Sequence, residues 1–378
     1  MRSKNRALGT FLAFTITFTA TACGGTADTG KSAQVEATPG PSAKQEAATA
    51  IEPYLVPPSS IPLNTPLAKK PAAGKTIIIS EDPAAVSRKS NDGFEVGAKM
   101  LGWTVKRQPI GTGPEDAAKA FDAALDQKPD AINMSGHAAS TLRAQVDRAK
   151  NMGIPVLLTD VSDPVGSDGL VNVIGIDDAS QTGPWGIMSG DYAVSQGAKN
   201  VLIVDLSFFP ALHAYSESAA KRVEKLGGKA TVIDTTLTEF VGGKIPAKVV
   251  SEIQRNPNID WVLMALGDMT TGLNAALKGA GFADKVKVGG ETAGTANVSA
   301  LKAGTESAWT GFPAEIHGMY RVDALARILN GEPLVKTYNS LPTQMLTSKN
   351  IGTAPVDSGG YYVGIPAYRE HFAALWKI

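Results

Sequence analysis

The residues that could do chemistry in this chain are few and poorly placed for it. Four histidines, His137, His213, His317 and His371, are the first candidates for proton transfer or metal ligation. They lie far apart and show no H-E-x-x-H or similar ligand spacing. Gly111-Thr112-Gly113 begins like a dinucleotide loop, but Pro114-Glu115-Asp116 follow and the third glycine is missing. Gly242-Gly243-Lys244 lacks both the Ser or Thr after the lysine and the glycine five residues before Gly243, so it cannot cradle a phosphate as a P-loop does. Ser135-Gly136-His137 is not a G-x-S-x-G elbow. No nucleophile with its base, metal set or phosphate cradle is spelled out, which predicts binding without catalysis, cofactor or metal.

Groups suited to binding are easier to find. The run Asp205-Leu206-Ser207-Phe208-Phe209-Pro210-Ala211-Leu212-His213 sets two adjacent phenylalanines on a loop where a strand gives way to a helix. Phe208 and Phe209 would leave much apolar area in water unless something packs on them. Sugar faces and aromatic ligands both stack on such rings; the competing account is that the pair caps a lobe core. His137, after the third strand, either donates to a ligand or is a solvated loop histidine.

The elements that must hold these groups alternate from Lys75 onward. Short β-branched runs predict strands at 76–80, 104–107, 131–134, 155–159 and 171–176, then at 201–204, 230–233, 261–264, 286–288 and 307–310. Continuous apolar runs of this kind suit strands covered on both faces, as in a parallel sheet. Between them Leu212, Tyr215, Ala219, Val223 and Leu226, or Leu142, Val146, Ala149 and Met152, fall on one face of a helix. The alternation predicts an α/β fold of two Rossmann-like lobes, about five parallel strands in each, because ten such units exceed one compact sheet. In open α/β sheets ligands bind beyond the carboxyl ends of the strands, so the site belongs in the cleft between the lobes.

The first six residues carry Arg2, Lys4 and Arg6, and the uncharged run that follows is too short and too threonine-rich to span a membrane. Residues 1–22 therefore read as an export signal. It ends in Ala20-Thr21-Ala22-Cys23-Gly24-Gly25, which resembles the lipobox of bacterial lipoproteins, with Ala20 where leucine is usual. That resemblance implies lipidation at Cys23, the chain's one cysteine, and anchorage to the cell membrane. Residues 23–72 are small, polar and proline-rich and predict a flexible tether whose proline-rich end can lie along the body. Lys plus Arg and Asp plus Glu both total 36, so no basic excess points to nucleic acid.

The order of elements resembles the type I periplasmic binding proteins, the ribose-binding-protein family, over most of Lys75 to Ile378. The carrying residues are Lys128-Pro129-Asp130-Ala131-Ile132, Met152-Gly153-Ile154-Pro155-Val156 with Asp160 beyond, Val173-Ile174-Gly175-Ile176-Asp177-Asp178, Gly267-Asp268-Met269 and Val288-Gly289-Gly290-Glu291. No DNA-reading helix-turn-helix precedes the body, which sets aside the related repressors. The resemblance implies a three-stranded hinge, with crossings near Ile176-Asp177, Phe312-Pro313-Ala314 and Leu346. The lobes would then be 73–177 plus 313–345, and 178–312 plus 346–378.

Carried over position by position, the resemblance implies ligand contacts from Asp160, from His213 or Tyr215 where an arginine is expected, from Asp268, from Glu291 in place of Asp, and from Phe312 near the last hinge position. Trp185, on the helix after the first crossing, and Glu81, after the first strand, are weaker candidates of the same origin. Asp160 and Glu291 either accept from ligand hydroxyls or cap the next helix. The arginine that follows the acid in pentose binders is Val161 here, so the planar donors that fork onto sugar hydroxyls look lost.

The function so implied is an extracytoplasmic solute-binding lipoprotein, a monomer that captures a carbohydrate or polyol by lobe closure and delivers it to an ABC permease. An aromatic or apolar metabolite as ligand, or a sensing role beside a membrane signalling protein, are the alternatives.

Overall fold

The computed structural model describes residues 38–113, 115–161, 171–174 and 182–378. The export signal, Cys23 and the crossing at Ile176-Asp177 lie outside them. The chain begins with α1 (Pro41–Ile51) and enters the first lobe through β1 (Thr76–Glu81), α2 (Ala85–Met100), β2 (Thr104–Pro109), α3 (Asp116–Asp126), β3 (Ala131–Ser135), α4 (Arg143–Met152), β4 (Val156–Thr159) and β5 (Val171–Ile174). The second lobe runs through α5 (Thr182–Ser195), β6 (Asn200–Asp205), α6 (Pro210–Lys225), β7 (Lys229–Asp234), α7 (Leu237–Val241), α8 (Ile245–Arg255), β8 (Trp261–Met264), α9 (Leu273–Gly279), β9 (Lys287–Gly290), α10 (Thr295–Ala303) and β10 (Ala308–Gly311). After α11 (Ala314–Asn330) come β11 (Gln344–Thr347) and α12 (Tyr368–Trp376).

Two sheets result, ordered β2-β1-β3-β4-β5 and β11-β10-β9-β8-β6-β7. Every pairing is parallel except that of β10 with β11. The uninterrupted isoleucines of β1 show why parallel strands read as apolar runs. Ile77 and Ile79 face the helices α2 and α11, while Ile78 faces α3 and α4. In β6, Leu202 and Val204 serve one helical layer and Val201 and Ile203 the other.

Helices α2 and α11 cross unusually closely in the first lobe. A Cβ on Gly93 would stand 2.3 Å from the Glu315 carbonyl oxygen, and one on Gly318 would stand 2.2 Å from that of Ser90. Only glycine permits this approach, which brings side chains of both helices to the cleft together.

Two expected boundaries change. Residues 38–72 are no free tether, because α1 packs on α5 through Ala47 and buries Ile51 at its end, and the following chain buries Ile61, Leu63 and Leu67. The Leu63 N–H donates to Tyr320 Oη at 3.3 Å, the Leu67 N–H to the Leu375 carbonyl at 2.9 Å, and Asn350 Nδ2 to the Leu55 carbonyl at 2.9 Å. This strap therefore touches both lobes. The proline-rich end lies along the body as the sequence allowed, but low average hydropathy hid how firmly: a few well-spaced apolar side chains suffice to dock a segment on a body that already exists. Helix α12, expected in the second lobe, instead packs Phe372 and Trp376 among Phe94, Ala98 and Tyr320 of the first. Its indole Nε1 donates to buried Asp323 of α11 at 2.8 Å.

Candidate functional site

The carboxyl ends of β1, β3 and β4 face those of β9 and β10 across a cleft of about 130 Å3. That is close to the ~150 Å3 of an engineered cavity that accepts one benzene ring, so the space suits a single six-membered ring. Its apolar wall comes from Trp185 of α5, Phe209 just before α6 and Phe312 just after β10. Trp185 and Phe312 meet edge to face with centroids 6.0 Å apart, and Phe312 lies 5.2 Å from the His317 ring.

The polar wall is one connected network on the first lobe. The Ser135 hydroxyl donates to Asp160 Oδ2, and His317 Nε2 lies 3.2 Å from Asp160 Oδ1. The other His317 nitrogen, Nδ1, is 2.8 Å from Ser90 Oγ. Arg321 Nη1 donates to that same Ser90 oxygen at 3.1 Å and to Asn91 Oδ1 at 3.0 Å, while its Nε donates to Asn133 Oδ1 at 2.7 Å. The guanidinium also lies over the Phe94 ring, 5.3 Å from its centroid. Its orientation is thereby determined before any ligand arrives.

Electrostatics follow from this packing. Burial would raise the Asp160 carboxyl, but the His317 charge and hydrogen bond, the Ser135 hydroxyl and the Arg321 charge outweigh it and hold the group well below the usual carboxylate range. Burial pushes Arg321 down to about 10, against the neighbouring charges of Asp160 and Asp82. Asp160, at φ +59°, and Thr292, at φ +56°, occupy left-handed backbone on opposite walls of the cleft. For β-branched Thr292 such a conformation costs about 1–3 kcal/mol.

Five sequence candidates, Asp160, Trp185, Phe209, Glu291 and Phe312, come together in this lining. Glu291 is buried at 1% exposure, and its N–H donates to the Met264 carbonyl, which fixes the backbone there. Phe208 sits at the edge instead, and His137 behind the wall. Phe208 is 42% exposed and packs edge-on against Phe209 and His137. His137 is buried behind the wall with Nε2 3.5 Å from Asp82 Oδ1.

Four candidates lie outside the lining. Tyr215 is fully buried in the core, where burial pushes its phenol well above the usual range. His213, next to the lining residue Leu212, is half-exposed and pairs with Asp205 at 2.7 Å. Glu81 turns to Arg107 on β2, at 2.7 Å, because it stands one residue out of phase with the cleft-facing Asp82. Asp268 reaches across the lobes, and its Oδ2 accepts from the Ala85 and Val86 N–H groups at 2.8 and 3.3 Å. It thus serves the start of α2, where free N–H groups and the helix dipole favour a carboxylate. With the Lys89–Asp357 pair at 2.8 Å, this contact holds the lobes together.

The sequence reading missed Asp82, Ser90, His317 and Arg321. It also took the loss of the arginine after Asp160 as loss of a guanidinium from the site, whereas Arg321 supplies one from α11. The available signal was His317 and Arg321, four apart and so on one face of a helix, both of them buried.

The family described as the periplasmic binding protein domain matches residues 81–333. No curated protein matches the chain. Among solved structures, an ABC transporter solute-binding protein from Agrobacterium vitis, bound with alpha-D-tagatopyranose, is 19% identical with a TM-score of 0.65, covering 76% of this chain and 99% of that one. A carbohydrate transporter from Acidothermus cellulolyticus in complex with myo-inositol is 19% identical with a TM-score of 0.62, covering 74% and 96%. A protein from Mycobacterium smegmatis in complex with beta-D-fucofuranose is 19% identical with a TM-score of 0.62, covering 80% and 98%. At this identity the likeness is one of fold, two α/β lobes with mostly parallel sheets.

Proposed function

The chain belongs to the periplasmic binding proteins, a family that works outside the cytoplasm, and on that footing we propose that it captures one carbohydrate or polyol ring between its lobes and hands it to an ABC permease. The observation that carries the reading is the lining itself. A ring-sized cleft sets the aromatic side chains Trp185, Phe209 and Phe312 opposite a carboxylate, Asp160, whose hydrogen bonds are organised in advance. Aromatic faces take the C–H side of a sugar, and fixed carboxylates accept from its hydroxyls. The sugar and polyol ligands of the structures similar in fold support the same class. Binding with release, and not turnover, is the role we assign to it.

Attachment to the membrane through a lipid on Cys23 completes the proposal. Mass spectrometry of the membrane-extracted protein should find a diacylglyceryl group there.

A thermal-shift panel of monosaccharides, cyclitols and linear polyols tests the ligand class. A ligand at 100 times its Kd adds about 2.7 kcal/mol to the folded state. If no member of the panel moves the transition while an aromatic metabolite does, the carbohydrate assignment fails and the aromatic wall becomes the dominant recognition element.

A further inference from the structure

Among the described residues of the cleft wall, Arg321 Nη2 and Asp82 Oδ1 are buried without a hydrogen-bond partner, His137 Nε2 standing 3.5 Å from Asp82 Oδ1 outside hydrogen-bond geometry. Both residues line the cleft, with exposures of 2% and 7%. They differ in sense, since a guanidinium N–H only donates and a carboxylate oxygen accepts. The Arg321 fork cannot turn to find another partner, because Asn133, Asn91 and Ser90 already hold its Nε and Nη1. A hydroxyl both accepts and donates, so ligand hydroxyls suit either atom. A carboxylate could only accept and an ammonium only donate.

The charges around the fork decide what else it tolerates. Arg321 is the one guanidinium or ammonium group among the described lining residues; with the His317 imidazole, which is already paired to Asp160, it shares the cleft with three carboxylates, Asp82, Asp160 and Glu291. The charges of Asp160 and Asp82 bear directly on it. A ligand that brought a further negative charge would therefore meet an arginine already balanced, beside carboxylates that repel it.

We propose that Arg321 is a specificity-determining residue that selects a neutral, hydroxyl-bearing ring and rejects the corresponding sugar acid. The inference rests on the carbohydrate reading above and goes beyond it, because it names the group that reads the hydroxyl and the charge class that is excluded.

Isothermal titration of the wild-type chain and Arg321→Lys with D-galactose, D-ribose, myo-inositol and D-galacturonate tests it. Lysine keeps the positive charge but not the planar fork. The neutral ring that binds the wild type best is expected to bind the lysine variant at least tenfold more weakly. Among deoxy analogues of that ring, one should bind the wild type more weakly than its parent and yet bind Arg321→Lys equally well, a coupling that a purely structural arginine would not show. D-galacturonate should not displace the neutral ring at a hundredfold excess. Undiminished affinity in Arg321→Lys, or competitive binding of D-galacturonate, overturns the inference and leaves the carbohydrate reading standing. Binding of none of the three neutral rings overturns both. If Arg321→Lys fails to fold, the competition arm in the wild type still decides.

Discussion

Replacing Leu63 by alanine tests whether the segment before β1 belongs to the folded body. Leu63 is fully buried, among Tyr320, Phe372 and their neighbours. Its backbone is held independently, by its N–H on Tyr320 Oη and by His371 Nε2 at 2.6 Å from its carbonyl oxygen, and neither contact needs the leucine side chain. Leu63→Ala therefore removes packing alone and leaves a cavity. Buried Leu→Ala changes cost about 2–5 kcal/mol. With an unfolding entropy of about 2.1 cal/mol/K per residue over a body of roughly 340 residues, a loss of about 3 kcal/mol lowers Tm by about 4 °C. Val56→Ala, at a position 60% exposed in the same segment, is the control and should stay within about 0.5 kcal/mol of wild type. Urea denaturation read by tryptophan fluorescence gives the midpoint, with calorimetry as the second measurement. If Leu63→Ala behaves like Val56→Ala, residues 38–72 contribute nothing to the fold and the tether expectation was right after all.

Two further outcomes follow from the cleft. Phe209→Ala should weaken binding of the tightest sugar or polyol by about 5- to 30-fold, the equivalent of about 1–2 kcal/mol, whereas Phe208→Ala at the edge should change it less than twofold; equal losses in titrations of the two variants would show that the edge and the lining are not distinct. Acid should act through Asp160. Its carboxyl lies below its ordinary 3.8 in the folded state because His317, Ser135 and Arg321 outweigh burial. It contributes stability that is present above pH 3.8 and lost as the pH falls through that value toward the depressed folded one. Asp160→Asn should therefore be less stable than wild type at neutral pH, with a gap that narrows below pH 3.8 in chemical denaturation series; a gap independent of pH would refute the depressed titration.

The lobes were legible in the sequence because their signal is local. Ile77-Ile78-Ile79 and Val201-Leu202-Ile203-Val204 announce strands covered on both sides, and glycines such as Gly153 mark the helix exits. Strand β11 was not so legible: Gln344–Thr347 is four residues long and becomes a strand by pairing antiparallel with β10. Helix α12 has an ordinary helical pattern, but nothing in Phe372 or Trp376 says which lobe they will fill. That the proline-rich segment can lie along the body was legible, but not where it docks, because burial there depends on grooves built by α11 and α12, hundreds of residues later in the chain.

The site divides along the same line. By itself the sequence determined which loops would face the cleft, since ligands gather at the carboxyl ends of parallel strands; Asp160, Phe209, Glu291 and Phe312 followed from that rule and the family resemblance. Only the tertiary structure decided which side chains complete the wall. The phase of β1 turns Asp82 inward and Glu81 toward Arg107. The glycine contact between α2 and α11 sets Ser90 against Arg321, 231 residues away. Lobe contact gives Asp268 to the start of α2 and takes it from the ligand wall. Periodicity and motif spacing report on neighbours within an element, whereas a guanidinium supplied to the cleft from the last long helix is a fact about two helices that meet only when the chain has folded.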